Sequence, residues 1–179
     1  MNRTIAFLTA MAVSGISHAA AAQDQQAVPP DRATVLAAAK DVMHAARYCA
    51  LITNGPDGYP HARTVDAFAP ETDLTVWIGT KPVTRKIAEI EADPRVTLYY
   101  FDAKGWNYVT LLGKAEIVTD PAAKAAHWKE DWDSFYADQY RGDDYVLIRV
   151  RPVRLEIVSY THNLIGDPAT WRPVTIEFD

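Results

Sequence analysis

Between Tyr145 and Tyr160 the apolar residues change parity partway along one extended run. Ile148 and Val150 keep one period-two register, and Val153, Leu155 and Ile157 keep the other, with Pro152 between them. Successive side chains of a strand point to opposite faces, so the switch requires a bulge or bend at the proline. A strand bent in its middle turns a corner, as the strands of a small barrel do.

The rest of the chain supplies strands of matching size. Tyr48–Thr53 and His61–Phe68 flank the turn Asn54-Gly55-Pro56-Asp57-Gly58 and read as a hairpin. Leu74–Ile78 is β-branched and apolar, and hairpin pairing would set it beside the second strand. Arg95–Phe101 is the fourth strand. In the fifth, Trp106–Val118, the residues Val109, Leu111, Gly113, Ala115 and Ile117 make a small apolar face. Its opposite face carries Trp106 and Tyr108, which calls for a ligand or a second subunit. Helices are few. Asp31 caps one that reaches Ala46, Thr84 caps one that stops at Asp93-Pro94, and Asp120-Pro121 opens a third. That third helix is expected to carry Trp128, Trp132 and Phe135 as a packing stripe. Six strands joined mostly by hairpins predict a mainly β, antiparallel barrel with peripheral helices.

The chain of 179 residues suits one domain, placed at residues 31–179. Ahead of it, Arg3, an apolar run from Ile5 to Ile16 and the small residues to Ala22 predict a secretory signal peptide over residues 1–22. Residues 23–30 read as a disordered leader. The signal peptide implies a periplasmic or secreted protein with no membrane attachment after cleavage. Of 18 basic residues only Arg3 would be lost, leaving 17 against 23 acidic ones, a net charge of −6. An acidic protein without a basic tract is a poor nucleic-acid binder. Cys49 is the single cysteine, so no internal disulfide forms, and its strand position predicts a buried thiol.

Charge is concentrated where the third strand meets the second helix. Gly79-Thr80-Lys81-Pro82-Val83 turns the chain, and Arg85 and Lys86 then fall in the helix's first turn, where the macrodipole opposes cations. Free backbone N–H groups, the hydroxyls of Thr80 and Thr84, and two cations at one helix start form a receptor for a phosphate. Arg63, in the second strand, is expected to reach the same pocket. Among the candidate histidines outside the expected signal peptide (His44, His61, His127 and His162) only His61 shares the strand parity of Arg63.

At these residues the sequence resembles the pyridoxamine 5′-phosphate oxidase-like, FMN-binding split-barrel superfamily, and most of all its general stress protein 26 branch. The resemblance spans residues 36 to about 160. It rests on Gly58-Tyr59-Pro60-His61-Ala62-Arg63-Thr64-Val65, on Val76-Trp77-Ile78-Gly79-Thr80, on Thr84-Arg85-Lys86, on Asp93-Pro94, and on Leu111-Leu112-Gly113-Lys114-Ala115. It implies a six-stranded antiparallel split barrel of Greek-key type. By resemblance, Arg63 and Lys86 would hold the FMN phosphate, assisted by Arg85 and Thr84. The backbone at Thr64–Val65 and Gly79–Thr80 would line the flavin ring. The superfamily's homodimers carry flavin at the subunit interface, where Trp106 and Tyr108 would complete the site.

Tyr108 stands where the vitamin B6 oxidases have glutamine, and their C-terminal Arg-Leu-His-Asp-Arg-type motif is missing here. The resemblance therefore implies a flavin-dependent oxidoreductase acting on a small molecule, not a pyridoxal phosphate synthase. Its catalytic residues and substrate are left open, and no metal site is expected. A deazaflavin in place of FMN is an alternative. So is a non-catalytic flavin or haem carrier, with His162 as an axial ligand.

Overall fold

The computed structural model describes residues 30–179. The expected signal peptide and all of the expected leader except Pro30 lie outside the described residues. The elements run α1 (Arg32–Ala46), β1 (Cys49–Asn54), β2 (Pro60–Val65), β3 (Val76–Thr80), α2 (Arg85–Ala92), β4 (Arg95–Asp102), β5 (Asn107–Val118), α3 (Pro121–Ala126), β6 (Val146–Val158) and β7 (Val174–Glu177). Single 3-10 turns sit at Glu130–Trp132 and Gln139–Arg141. Asp31 starts α1 by accepting the Thr34 N–H at 3.0 Å. Asp120 does the same for α3 through the Ala123 N–H at 2.8 Å, with proline in the first turn.

All strand pairs are antiparallel, in the order β2-β1-β4-β5-β6-β3, with β7 added to β6. The sheet curls without closing its ladder, as a split barrel does. The expected hairpin between the second and third strands is not formed. β3 instead pairs with the first half of β6, from Val76 opposite Val150 to Thr80 opposite Val146. Residues 66–75 make too long a connection for a tight turn, and Leu74 at φ 67° redirects the chain into β3. Val76, Trp77 and Ile78 are all buried, so β3 needs a partner with apolar residues on both faces, which Leu147 and Ile148 supply. Just past β2, the Phe68 N–H donates to the Trp77 carbonyl at 2.9 Å, so the two ends of the sheet approach one another there.

A seventh strand exceeds the six expected. The alternating end of the tail forms β7, placing Ile176 opposite Leu155 and Val174 opposite Ile157. The parity switch in β6 is a bulge one residue later than expected. Leu112 faces Arg154 and Gly113 faces Pro152, leaving Val153 as the extra, exposed residue. Gly113 is required there, because a side chain would stand 2.5 Å from the Arg151 carbonyl oxygen.

The third helix is shorter than expected. It ends at Ala126, so Trp128, Trp132 and Phe135 do not share one helical face. Trp128, Trp132 and Tyr136 instead gather edge-on around buried Tyr145, whose hydroxyl donates to the His127 carbonyl. Phe135 is exposed. The main core lies inside the curled sheet under α1. One row crosses it from strand to strand: Ile176, Leu155, Leu111, Leu98, Leu51 and, at its open end, Arg63. A cation therefore ends a row that is otherwise apolar.

Candidate anion pocket at the start of the second helix

The tight turn of the β1–β2 hairpin fixes one wall. Gly55 and Tyr59 close it, with the Gly55 N–H donating to the Tyr59 carbonyl at 2.8 Å, and Gly58 adopts φ 81°. That turn brings the Asp57 carboxylate to 3.1 Å from His61 Nε2. Along β2, His61, Arg63 and Val65 then point inward, opposite Thr53, Leu51 and Cys49.

The inward residues meet Glu89 of α2, a residue not singled out in the sequence. Its carboxylate is 2% exposed, is hydrogen-bonded to three side chains and forms an ion pair with a fourth. Thr53 Oγ1 lies at 2.6 Å, His61 Nδ1 at 2.6 Å, an Arg63 guanidinium nitrogen at 2.7 Å and Arg85 Nε at 3.0 Å. Arg63 also donates to Thr53 Oγ1 at 2.5 Å. Burial pushes the Glu89 carboxyl up, but the hydrogen bonds from Thr53, His61 and Arg63 and the charge of Arg63 outweigh it and hold it at about 2. The carboxylate is ionised throughout the physiological range. A clue was present in the sequence: Arg85 and Glu89 stand one helical turn apart, which ordinarily reads as a surface pair.

Lys86 forms the second wall. Its Nζ donates to Thr80 Oγ1 at 2.8 Å and to Thr84 Oγ1 at 3.0 Å. Burial lowers its pKa below the ordinary lysine value, the nearby Arg63 cation lowers it further, and Glu89 opposes both. Thr84 occupies the N-cap position but does not cap with its side chain; its hydroxyl donates instead to the Lys81 carbonyl at 2.9 Å. The first N–H groups of α2 have no intrahelical acceptor by helix geometry. The structure thus brings Arg63, Thr80, Thr84, Arg85 and Lys86 together at one helix start, with three cations against one buried carboxylate.

Thr64, Trp106 and Tyr108 lie elsewhere. Thr64 points outward on the other face of β2, opposite Ala50. Tyr108 is on the outer face of β5, facing Phe101 and Val158, three strands from Arg63, or about 14 Å at ordinary strand spacing. Trp106 falls in the turn before β5, at φ 54° and 72% exposed. It lines an outer groove of about 370 Å³ with Phe101, Tyr108, Tyr160 and Trp171. Arg63 and Tyr108 therefore point to opposite faces of the sheet.

Gly79 faces the aromatic cluster, where a side chain would collide with Trp132 and come within 2.7 Å of Tyr145. The packing alone requires glycine there. Val65 is buried on the inner face and belongs to the core. His162 has both ring nitrogens engaged, Nδ1 with Ser159 Oγ at 2.8 Å and Nε2 with Asp41 at 3.2 Å. That arrangement is poor for an axial haem ligand. Cys49 is buried, and burial raises its thiol to about 11. Among the described residues no group of three or more metal-ligating side chains converges, and no helix is long and apolar enough to cross a membrane.

Residues 35–159 match the family model described as pyridoxamine 5′-phosphate oxidase. The chain belongs to the pyridoxamine 5′-phosphate oxidase family. Solved structures agree on the fold. A protein related to general stress protein 26 from Clostridium acetobutylicum superposes with a TM-score of 0.69 at 18% identity, covering 83% of this chain and 98% of that one. General stress protein 26 from Bacillus anthracis gives 0.61 at 22% identity, covering 69% and 93%. A pyridoxamine 5′-phosphate oxidase-related, FMN-binding protein from Nostoc punctiforme gives 0.60 at 15%, covering 80% and 96%. No curated protein matches the sequence. Within the family fold, this chain's cations gather where β3 hands over to α2.

Proposed function

We propose that this protein is an exported flavin-dependent oxidoreductase that binds FMN non-covalently and acts on a small molecule other than a vitamin B6 phosphate. The convergence of Arg63, Arg85 and Lys86 with the Thr80 and Thr84 hydroxyls at the start of α2 carries the reading. The donor set suits a phosphate monoester: two hydroxyls and a partly desolvated ammonium beside two guanidinium groups. Lys86, Thr80 and Thr84 would hold the phosphate, with Arg85 closing over it from its exposed position. Arg63 would orient it from the barrel side. When bound, the flavin supplies hydride-accepting chemistry, and the protein supplies position and electrostatics.

The opposed faces of Arg63 and Tyr108 support a homodimer. A second copy would bring its Trp106 and Tyr108 to a cofactor anchored at Arg63 and Lys86. The exposed aromatics of the outer face, Phe101, Trp106, Tyr160 and Trp171, make a surface suited to such burial. The implied export rests on residues 1–22. N-terminal sequencing of the protein from the periplasmic fraction, expected to begin near Gln23, tests it.

Purified protein mixed with FMN, freed of unbound ligand and scanned over roughly 350–500 nm, tests the cofactor assignment. A retained flavin spectrum is expected, together with a dimeric mass in solution. Colourless protein at micromolar concentration would refute the assignment. A deazaflavin gives a different spectrum and is distinguished in the same scan.

A further inference from the structure

His61 bridges two carboxylates. Nδ1 lies 2.6 Å from Glu89 Oε1, and Nε2 lies 3.1 Å from Asp57 Oδ2. A neutral imidazole has one N–H and one lone pair, so it can satisfy only one of them. The arrangement is complete only with imidazolium. Glu89 is also the ion-pair partner of Arg63 and Arg85, two of the cations of the anion pocket. We propose that Glu89 is the pocket's built-in counter-anion, and that a proton on His61 governs how strongly it holds Arg63 and Arg85, so that phosphate binding weakens as that proton is lost. The proposal rests on the pocket being a phosphate site, as the proposed function has it.

The charges around His61 decide the sign. From the turn comes Asp57; from α2 come Glu89, Arg85 and, one step farther, Lys86; from β2 itself comes Arg63; β1 contributes only the Thr53 hydroxyl. With His61 charged, Glu89 shares its negative charge between imidazolium and two guanidinium groups. Once His61 is neutral, the longer and more exposed contact to Asp57 breaks, and Glu89 pulls on Arg63 and Arg85 without that competition. The pocket also loses one positive charge within a short distance of the bound anion. Both effects disfavour a phosphate. Hydrogen bonds from His61 to Glu89, and then to Asp57, raise its pKa above the ordinary 6.5, against burial and the Arg85 cation. The change therefore falls above pH 6.5.

His61 is a positioning residue in this account, acting through Glu89 without touching the ligand. FMN and riboflavin dissociation constants, measured by flavin fluorescence at about pH 7 and about pH 9, test it, since the FMN phosphate is dianionic throughout that range. For the unaltered protein, FMN is expected to bind about five- to tenfold more weakly at the higher pH, while riboflavin shows no such change. Lys86 contributes in the same direction, so the comparison with His61→Gln isolates the imidazole: its FMN affinity should change by less than about twofold. Asp57→Asn, at an exposed site, should keep the dependence but move it to lower pH. An identical pH dependence in the unaltered protein and His61→Gln would overturn the proposal. If FMN does not bind at either pH, the flavin reading fails by itself. The proton link is then read from sulfate, whose charge is fixed in this range. Sulfate should raise the melting temperature more at the lower pH, and lose that preference in His61→Gln. Equal stabilisation at both pH values would refute the link.

Discussion

Two carboxylates one helical turn apart, Glu89 within α2 and Asp93 at its C-terminal cap, each hold an arginine, and their surroundings make them different objects. Glu89 is 2% exposed and has four partners from three elements, β1, β2 and α2 itself: three hydrogen-bonded and Arg85 as an ion pair. Asp93, just past the helix, binds Arg95 two residues away through a fork at 2.6 and 2.9 Å, with Asn54 and the Arg95 N–H as further donors. Arg95 is 77% exposed. Arg95 holds the Asp93 carboxyl well below the usual range, as the donors of Glu89 do there. A lowered pKa therefore does not distinguish a pocket from a surface fork. Burial and the sharing of donors between elements do. The first site links the hairpin to the helix beside the anion pocket, whereas the second tidies the connection from α2 to β4.

Removing the buried acid should have the largest effect. Glu89→Ala strands Arg63 against the core row that ends at Leu51, and about 3 kcal/mol of stability should be lost in chemical unfolding. Arg63→Ala leaves Glu89 with Thr53, His61 and Arg85, so a smaller loss of about 2 kcal/mol is expected. A loss as large as that of Glu89→Ala would mean that Arg63, not Glu89, organises the site.

The pH dependence of stability sharpens the same contrast. The folded pKa of Glu89 is depressed from 4.5 to about 2, so its contribution is present above pH 4.5 and lost as pH falls toward 2. His61 is raised, so its contribution is present below pH 6.5 and lost as pH climbs through the higher folded value. Unfolding midpoints across pH should show both limbs in the unaltered protein; in Glu89→Ala the acid limb of Glu89 is lost and the His61 limb shrinks to what Asp57 alone supports. Arg95→Ala should change the melting temperature least, because an exposed pair is screened by solvent. A drop comparable to that of Arg63→Ala would erase the distinction between the two carboxylates.

Much of this was legible in the sequence, and the exceptions share a cause. Period-two alternation located the strands, and the parity switch near Pro152 located the bulge, because both are local. Partnership across the sheet is not local. The strand at Val76–Thr80 follows β2 in sequence, yet it pairs with β6, since only β6 supplies apolar residues for both of its faces. Likewise the tail 174–177 alternates visibly, but only its docking on β6 makes it a strand. At the pocket, residue types and order placed Thr80, Thr84, Arg85 and Lys86 correctly at one helix start. Glu89 escaped because its burial depends on Thr53 and His61 arriving from the hairpin. The stripe of Trp128, Trp132 and Phe135 misled for the opposite reason: helical spacing persisted beyond a helix that ends at Ala126.

The central claim is that the cations at the start of α2, joined by Arg63, grip the phosphate of a flavin nucleotide. Paired titrations with FMN and riboflavin, which differ only by that phosphate, test it most directly. FMN is expected to bind about 100-fold tighter than riboflavin, with that preference lost in Arg85→Ala with Lys86→Ala. Equal affinities in the unaltered protein, or a preference that survives the double substitution, would contradict it.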